Sequence, residues 1–222
     1  MTEFHKIKKY LEARKKKIKQ SFYEIQDGLD TVKKLSKLTD EIIKFLFSKN
    51  TELQKVVICA VGGYGRSELA PFSDIDIIFI LENSQEKKSV EKEIIQILYK
   101  LWDLDFKIGY SVRKLDEIFE ITKKDQVIAT SILDIRYICG NYQTYKKAQK
   151  IFKTIFKNED KFLKEKIIER ENRAVSNKEV SFLLEPDIKN SRGGLRDLNL
   201  IFWFLKTKYG TVNLEILKRK KL

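Results

Sequence analysis

The spacing of apolar residues divides the chain into helices and short strands. Apolar residues recur at helical intervals through residues 3–50, which predicts two helices that are broken near Asp27 and Gly28. The short runs 56–61, 74–81 and 105–112 are continuously apolar or alternating, so we predict strands there. Further helices are predicted over 86–102, 115–122, 126–137, 142–156, 160–175 and 195–209.

This order of elements predicts an α+β fold with three regions. We expect an N-terminal helical segment at 1–50, a core built on a small mixed β-sheet at 51–122, and a helical region at 123–222. With 42% hydrophobic residues in 222, the chain is long enough to bury a sizeable core, which excludes a disordered tail or a peptide hormone.

Histidine and cysteine usage narrows the possible chemistry. His5 is the only histidine, which excludes Ser-His-Asp and Cys-His catalysis and histidine-based zinc sites within this sequence. Cys59 and Cys139 lie in apolar contexts without another Cys or His at metal-ligand spacing, so we predict two buried, reduced thiols. No apolar run is long enough to span a bilayer and no signal peptide is recognisable, so we expect a cytoplasmic protein.

The net charge of +13, from 45 Lys and Arg against 32 Asp and Glu, raises the question of an anionic partner. Lysines at residues 15–17 and 19 make the first predicted helix strongly basic, although the lysine excess is spread over the whole chain. This lysine run is typical of a solvated helix face, with nucleic-acid or anionic-membrane contact as alternatives. No aromatic residue interleaves with the run, so nucleic acid is only weakly supported as a partner.

Two glycines and two aspartates flank neighbouring predicted strands. Gly62 and Gly63 follow the first strand, while Asp74 and Asp76 open the second. Alternate side chains of a strand share one face, so these carboxylates project together from Cα atoms roughly 6.5 to 7 Å apart. Mg²⁺ suits this pair because it completes its octahedron with waters and substrate phosphates.

The residues around these glycines and aspartates are suited to binding phosphate. Backbone N–H groups at Gly62 and Gly63 can cradle phosphate oxygens, while Arg66 and Ser73 can add a charge-assisted contact and a hydroxyl. Alternatively, the glycines only mark a turn and Asp-Ile-Asp caps a strand. The combination favours phosphoryl chemistry in which bound metals activate the attacking oxygen and stabilise a pyrophosphate leaving group.

The stretch GGYGRSELAPFSDIDIIFI resembles the nucleotidyltransferase signature of the polymerase-beta-like superfamily, and in particular that of bacterial PII-protein uridylyltransferases. The resemblance extends over residues 55–210. It is carried further by LWDLDFKIGYSVRKL (101–115), QVIATSILDIRYICG (126–140) and LEPDIKNSRGGLRDLNLIFW (184–203). It implies that residues 51–122 are a nucleotidyltransferase core.

The resemblance also implies roles for individual residues. Gly62 and Gly63 would bind the nucleoside triphosphate, and Asp74 and Asp76 would hold two Mg²⁺ ions. The reaction would move UMP from UTP to a tyrosine of the nitrogen-signalling protein PII and release pyrophosphate. A second motif, with either a nucleotide-contacting or a structural role, would comprise Glu185, Asp187, Lys189, Gly193, Gly194, Arg196 and Asp197.

Two departures from the family pattern lead to alternative hypotheses. Lys107 stands where a third carboxylate is expected, and Asp105 could replace that carboxylate only with a shift of roughly 7 Å along the strand. The sequence also stops before the uridylyl-removing HD domain and the ACT domains, so we expect transfer without removal. The alternatives are an inactive truncated remnant that binds nucleotide or a partner, and a nucleotidyltransferase with an RNA or small-molecule acceptor.

Overall fold

The computed structural model describes residues 3–82, 84–156, 159–176 and 187–219. Two helices, α1 (Glu3–Ile25) and α2 (Gly28–Ser48), precede a 3₁₀ turn at Thr51–Lys55. The other described elements are β1 (Val57–Ala60), the short helix α3 (Gly62–Gly65), β2 (Ile75–Leu81), α4 (Ser84–Asp103), β3 (Ile108–Lys114), α5 (Leu115–Lys124), α6 (Gln126–Leu133), β4 (Arg136–Gly140), α7 (Tyr142–Ile155), α8 (Glu159–Ser176), α9 (Leu195–Tyr209) and α10 (Leu214–Arg219). The α+β prediction is confirmed.

The break between the first two helices has a local cause. The side chain of Asp27 caps α2 by accepting a hydrogen bond from the N–H of Asp30 at 2.9 Å, which satisfies one of the unpaired donors at a helix start. Gln26 just before it adopts a left-handed φ of 57°, which ends α1. The predicted break near Asp27 and Gly28 is confirmed.

The four strands form one mixed sheet in the order β3-β2-β1-β4. β1 pairs antiparallel with both β2 and β4, whereas β2 and β3 are parallel. The parallel pair is connected through α4, because a chain must cross over before it can run again in the same direction. The first residues of β2 and β3 therefore lie side by side at one end of the sheet.

The largest hydrophobic cluster packs against one face of this sheet. β1 is buried at every position, and Asp76 is the one exposed position of β2. Apolar residues of α2 and α4 share the cluster with Ile75, Ile77 and Phe79. Since side chains alternate along a strand, Asp76 lies on the opposite face.

The described chain forms two compact units. One contains the described residues up to Ile121 together with Asp134–Ile151, and it holds the sheet with α1 and α2. The other contains Thr122–Leu133 and the described residues from Phe152 onward. Within it, Ala129, Leu133 and Phe162 form a small apolar core. These units do not show which segments fold independently. The three regions predicted from the sequence, at 1–50, 51–122 and 123–222, therefore stay a prediction.

The prediction of one helix over 126–137 was wrong at its end. α6 stops at Leu133, and Arg136–Gly140 form a strand that pairs with β1. The sequence RYIC carries an aromatic and a β-branched residue that suit a sheet, but its partner strand lies more than seventy positions earlier in the chain. Long-range pairing overrode the helical spacing.

The third strand also begins later than predicted. β3 starts at Ile108, whereas Asp105 lies in the turn that ends α4 and has a left-handed φ of 62°. The N–H of Phe106 reaches back to the carbonyl of Leu101 at 3.2 Å, as at a helix C-terminus that ends in a left-handed residue. Asp105 therefore does not share a strand face with position 107.

The exposure of the lysine run agrees with the sequence, and the prediction of two buried thiols is confirmed for Cys59 and only in part for Cys139. Cys59 is buried and Cys139 is partly buried, both as free thiols, and burial raises the pKa of Cys139 to about 12. Lys16, Lys17 and Lys19 are exposed on α1. Among the described residues, no helix is both long and apolar enough to cross a membrane.

Candidate active site

The carboxylate of Asp76 lies between two glycines. Asp76 pairs in register with Gly109 on β3, and a Cβ added to Gly109 would lie 2.5 Å from Oδ1 of Asp76. On the other side, a Cβ added to Gly62 would lie 3.6 Å from Oδ2. The absence of a side chain at Gly109 gives the carboxylate its place, whereas a Cβ at Gly62 would only touch it at van der Waals distance. Gly109 was not among the predicted site residues.

The glycine-rich turn at 62–65 follows β1 and is held against β2. The N–H of Val61 donates to the carbonyl of Asp76 at 3.0 Å, and Gly62 has a left-handed φ of 60° that a residue without Cβ adopts readily. A Cβ on Gly65 would overlap the backbone carbonyl of Asp134 and lie 3.1 Å from the carbonyl oxygen of Ala60. The turn therefore approaches other backbone too closely for a larger residue at 65.

Arg66 is occupied by two carboxylates. Its Nε donates to Glu68 at 2.8 Å and its Nη1 to Asp134 at 2.7 Å, and the Asp134 side chain is only 3% exposed. A Cβ on Gly63 would lie 3.8 Å from Nη2 of Arg66. This arrangement anchors the turn; the predicted contact of Arg66 with a phosphate stays a prediction.

Ser73 lies in the exposed turn that leads into β2. Its N–H donates to the carbonyl of Ala70 at 3.2 Å, which closes a β-turn around Pro71 and Phe72. Phe72 has a left-handed φ of 63° and is 98% exposed. The Ser73 hydroxyl contacts the carbonyl of Asp74 at 3.4 Å, so it is near the predicted site, and its contact with a phosphate remains a prediction.

Asp74 has a lysine as its neighbour on the adjacent strand. Ile75 pairs with Ile108, and the N–H of Ile75 donates to the carbonyl of Lys107 at 2.8 Å. The same register places Asp74 beside Lys107, one residue before each strand, and both are exposed. Asp105 is instead paired with Lys8, at 3.3 Å between Nζ and Oδ2. The idea that Asp105 replaces the third carboxylate is therefore not supported.

The donor set fits a hard divalent cation with few protein ligands. Asp74 and Asp76 are exposed carboxylates at the beginning of β2, and the glycines around Asp76 leave room for a close ligand. No group of three His, Cys, Asp or Glu residues placed to hold a metal occurs in the part of the chain that the structure describes. Such a pair suits Mg²⁺, which takes one or two carboxylates and completes its shell with water and phosphate oxygens.

A network of polar side chains at the glycine-rich turn was missed from the sequence. The Tyr64 hydroxyl, in a residue only 2% exposed, donates to Asp40 at 2.5 Å, and Arg136 forms two hydrogen bonds to the same carboxylate, at 2.6 and 3.1 Å. Arg136 also donates to the carbonyl of Tyr64 at 3.1 Å. Burial raises the pKa of Tyr64, and the negative charge of Asp40 raises it further.

Two anchors of the turn come from β4 and the residues just before it. Asp134 holds Arg66, and Arg136 holds Tyr64 through Asp40. The resemblance over 126–140 contained a signal for these anchors, since it ends in LDIRYICG. No sequence pattern pointed to Asp40, because a helical period does not reveal that its partner is Arg136, 96 positions away.

The second motif forms a locally bonded turn before α9. Oδ1 of Asp187 accepts hydrogen bonds from the N–H groups of Lys189 and Asn190, both at 2.9 Å. The hydrogen bond from the Asn190 side chain is the main cause that lowers the pKa of Asp187, and these backbone bonds lower it further. Arg196 Nε donates to Asn190 Oδ1 at 2.8 Å. Glu185 lies outside the described residues.

The glycines of this motif shape the start of α9. Gly193 has a left-handed φ of 77°, and its N–H donates to Asp197 at 2.9 Å. A Cβ on Gly194 would lie 2.7 Å from the carbonyl oxygen of Ile188. The N–H groups of the first residues of α9, at 195 and 196, donate to carbonyls of the same turn. This bonding favours the structural role of the motif over anion binding.

The chain is similar to known nucleotidyltransferases and uridylyltransferases. The nucleotidyltransferase domain family matches residues 39–190, and the family described as GlnD PII-uridylyltransferase matches residues 161–222. A bifunctional uridylyltransferase/uridylyl-removing enzyme of Hydrogenovibrio crunogenus is 36% identical over 182 residues, which is 82% of this chain and 20% of that protein. The enzyme of the same name from Azospirillum brasilense is 36% identical over 207 residues, 92% of this chain and 22% of its own. The chain thus spans about a fifth of the length of these relatives.

Proposed function

Because this chain belongs to the nucleotidyltransferase domain family, we propose that it transfers UMP from UTP to a tyrosine hydroxyl of a PII-like signalling protein. The observation that carries the proposal is the placement of Asp76 between Gly62 and Gly109, beside the glycine-rich turn. The choice of UTP and of a PII-like acceptor is supported by the uridylyltransferase relatives.

The proposed reaction replaces the phosphoanhydride bond between the α and β phosphates of UTP with a phosphoester bond to the tyrosine. The tyrosine oxygen attacks the α-phosphorus of UTP, the bond from that phosphorus to the bridging oxygen breaks, and pyrophosphate leaves. The phenolic proton passes to water at the exposed end of the strand. Mg²⁺ bound by Asp74 and Asp76 would neutralise charge on the triphosphate and make the phosphorus more electrophilic.

The protein itself positions the nucleotide. Gly62 and Gly63 leave the backbone N–H groups accessible to phosphate oxygens, and Ser73 offers a hydroxyl at the edge of the site. Arg66 remains paired with Asp134 and keeps the turn in shape, with Nη2 as the part of its guanidinium nearest to Gly63. Asp74 and Asp76 are exposed, so a tyrosine on another protein can approach them.

The test is label transfer from UTP to a purified PII-like protein in the presence of Mg²⁺. The unmodified chain is expected to label the acceptor and release pyrophosphate, and the double variant Asp74→Ala/Asp76→Ala is expected to do neither. Labelled RNA in place of labelled protein would select the RNA-acceptor alternative. Absence of turnover with every nucleotide by a folded chain would favour the inactive remnant.

Gly109→Ala tests the geometry without removing a carboxylate. The added Cβ displaces Oδ1 of Asp76, a short side chain that can rotate, so we expect about a hundredfold loss of kcat with the fold retained. Ser111→Ala, on the same strand, is the control and should keep full activity. Normal activity of Gly109→Ala would show that the reaction does not depend on the position of the Asp76 carboxylate.

A further inference from the structure

A lysine stands beside the two carboxylates of the candidate site. The parallel register places Asp74 next to Lys107 and Asp76 next to Gly109, and the Ile75–Lys107 backbone bond ties the two chain segments together. Positions 107 and 109 share a strand face, as do 74 and 76, because side chains alternate. The lysine therefore lies on the carboxylate side of the sheet.

Other acids of the unit that contains the sheet hold cationic or hydroxyl partners. Asp134 and Glu68 hold Arg66, while Asp40 holds Arg136 and Tyr64. Asp105 faces Lys8 from its turn. No group of three possible metal ligands occurs among the described residues, so the candidate site is built on the pair Asp74 and Asp76.

We propose that Lys107 takes the place of a second metal ion, so that the site binds one divalent cation. This inference rests on the proposed function, since it concerns how the same site binds a nucleoside triphosphate. Asp74 and Asp76 bind the single cation, and the ammonium group of Lys107 donates hydrogen bonds to phosphate oxygens beside Asp74.

Charge and geometry both favour one cation. Two carboxylates carry two negative charges, which one Mg²⁺ balances. A second Mg²⁺ would be repelled both by the first Mg²⁺ and by the ammonium group of the lysine. An ammonium group on a flexible stem is a compact, strongly hydrated point charge that can follow the triphosphate. Lys107 is exposed and lies just before the edge strand β3, so its side chain has room to reach a bound nucleotide.

The experiment counts Mn²⁺ ions by electron paramagnetic resonance. The chain is saturated with a UTP analogue that has a methylene group between its α and β phosphorus atoms, and bound Mn²⁺ is counted per chain. The unmodified protein should bind one ion and Lys107→Glu should bind two, because the substitution removes a cation and adds a ligand. Lys92→Glu makes the same charge change at an exposed position of α4 and should still bind one.

A second variant tests the contact with phosphate. Lys107→Met keeps the stem and removes the charge, so the analogue should bind at least about tenfold more weakly while the count stays at one. Zero or two ions in the unmodified chain, one ion in Lys107→Glu, or unchanged nucleotide binding in Lys107→Met would overturn the inference. Because ions are counted without turnover, failure of uridylyl transfer alone would refute the proposed function and not this inference.

Discussion

The turn at residues 62–65 and the turn at residues 187–194 both contain a pair of adjacent glycines, yet they are held in different ways. In the first, the contacts are long-range: Arg66 bonds to Asp134 and Tyr64 bonds to Asp40. In the second, Asp187 bonds to Asn190 and Gly193 to Asp197, all within a few residues. The first turn is shaped by the rest of its unit, and the second largely by its own sequence.

The elements next to the two turns also differ in how deeply they are buried. β1, which leads into the first turn, is buried at every position, whereas the described side chains of α9, which follows the second turn, include none that is buried. A buried strand provides a rigid base, and rigid elements position catalytic groups more accurately than loops. This difference favours the first turn as the place of chemistry.

The largest expected effect is that of Gly65→Ala. Its Cβ would overlap the backbone of Asp134, which cannot move without shifting β4, so we expect a loss of about 3 kcal/mol or more in the free energy of unfolding. Gly193→Ala is the matched change in the second turn. A Cβ added to Gly193 would have no atom within 4 Å. This substitution should lower the free energy of unfolding by only about 1 kcal/mol, because the φ of 77° at this position is left-handed.

Urea unfolding followed by circular dichroism measures both variants. A larger loss for Gly193→Ala than for Gly65→Ala would contradict the assignment of long-range constraint to the first turn.

Asp40→Ala should have the next largest effect. It leaves Arg136 and the buried Tyr64 hydroxyl without their shared partner, which should cost about 2 to 3 kcal/mol. Arg170→Ala removes the ion pair to Asp197 near the second turn. Because the Arg170 side chain is 40% exposed, we expect a cost below about 1 kcal/mol. Equal costs in the same unfolding assay would mean that burial does not distinguish the two turns.

The smallest effect concerns the titration of Asp187. The hydrogen bond from the Asn190 side chain is the main cause that lowers the pKa of Asp187, followed by the Asn190 N–H. A lowered pKa stabilises the turn above the pKa of an unfolded Asp, and this contribution is lost as pH falls through the folded value. Carboxyl NMR should show Asn190→Ala moving the pKa up toward that of an ordinary Asp. An unchanged pKa would show that the side-chain bond is not formed in solution.

Local patterns predicted much of the fold and the central residues of the candidate site. The helix predicted over 195–209 coincides with α9, and the break at Asp27 and Gly28 follows from a capping side chain. Asp76 was predicted from strand alternation, and the structure places it beside Gly62. These features depend on residues close together in sequence, so the sequence displays them directly.

The sequence by itself determined the helical periods, the strand that carries Asp76 and the glycine-rich turn, because each depends on neighbouring residues. Only the tertiary structure decided that residues 136–140 form a strand, that Arg66 faces Asp134, and that Gly109 makes room for Asp76. It also separated Asp105 from the position of Lys107. Each of these depends on a partner far along the chain, and a partner's position is settled by packing and strand register, which no local pattern contains.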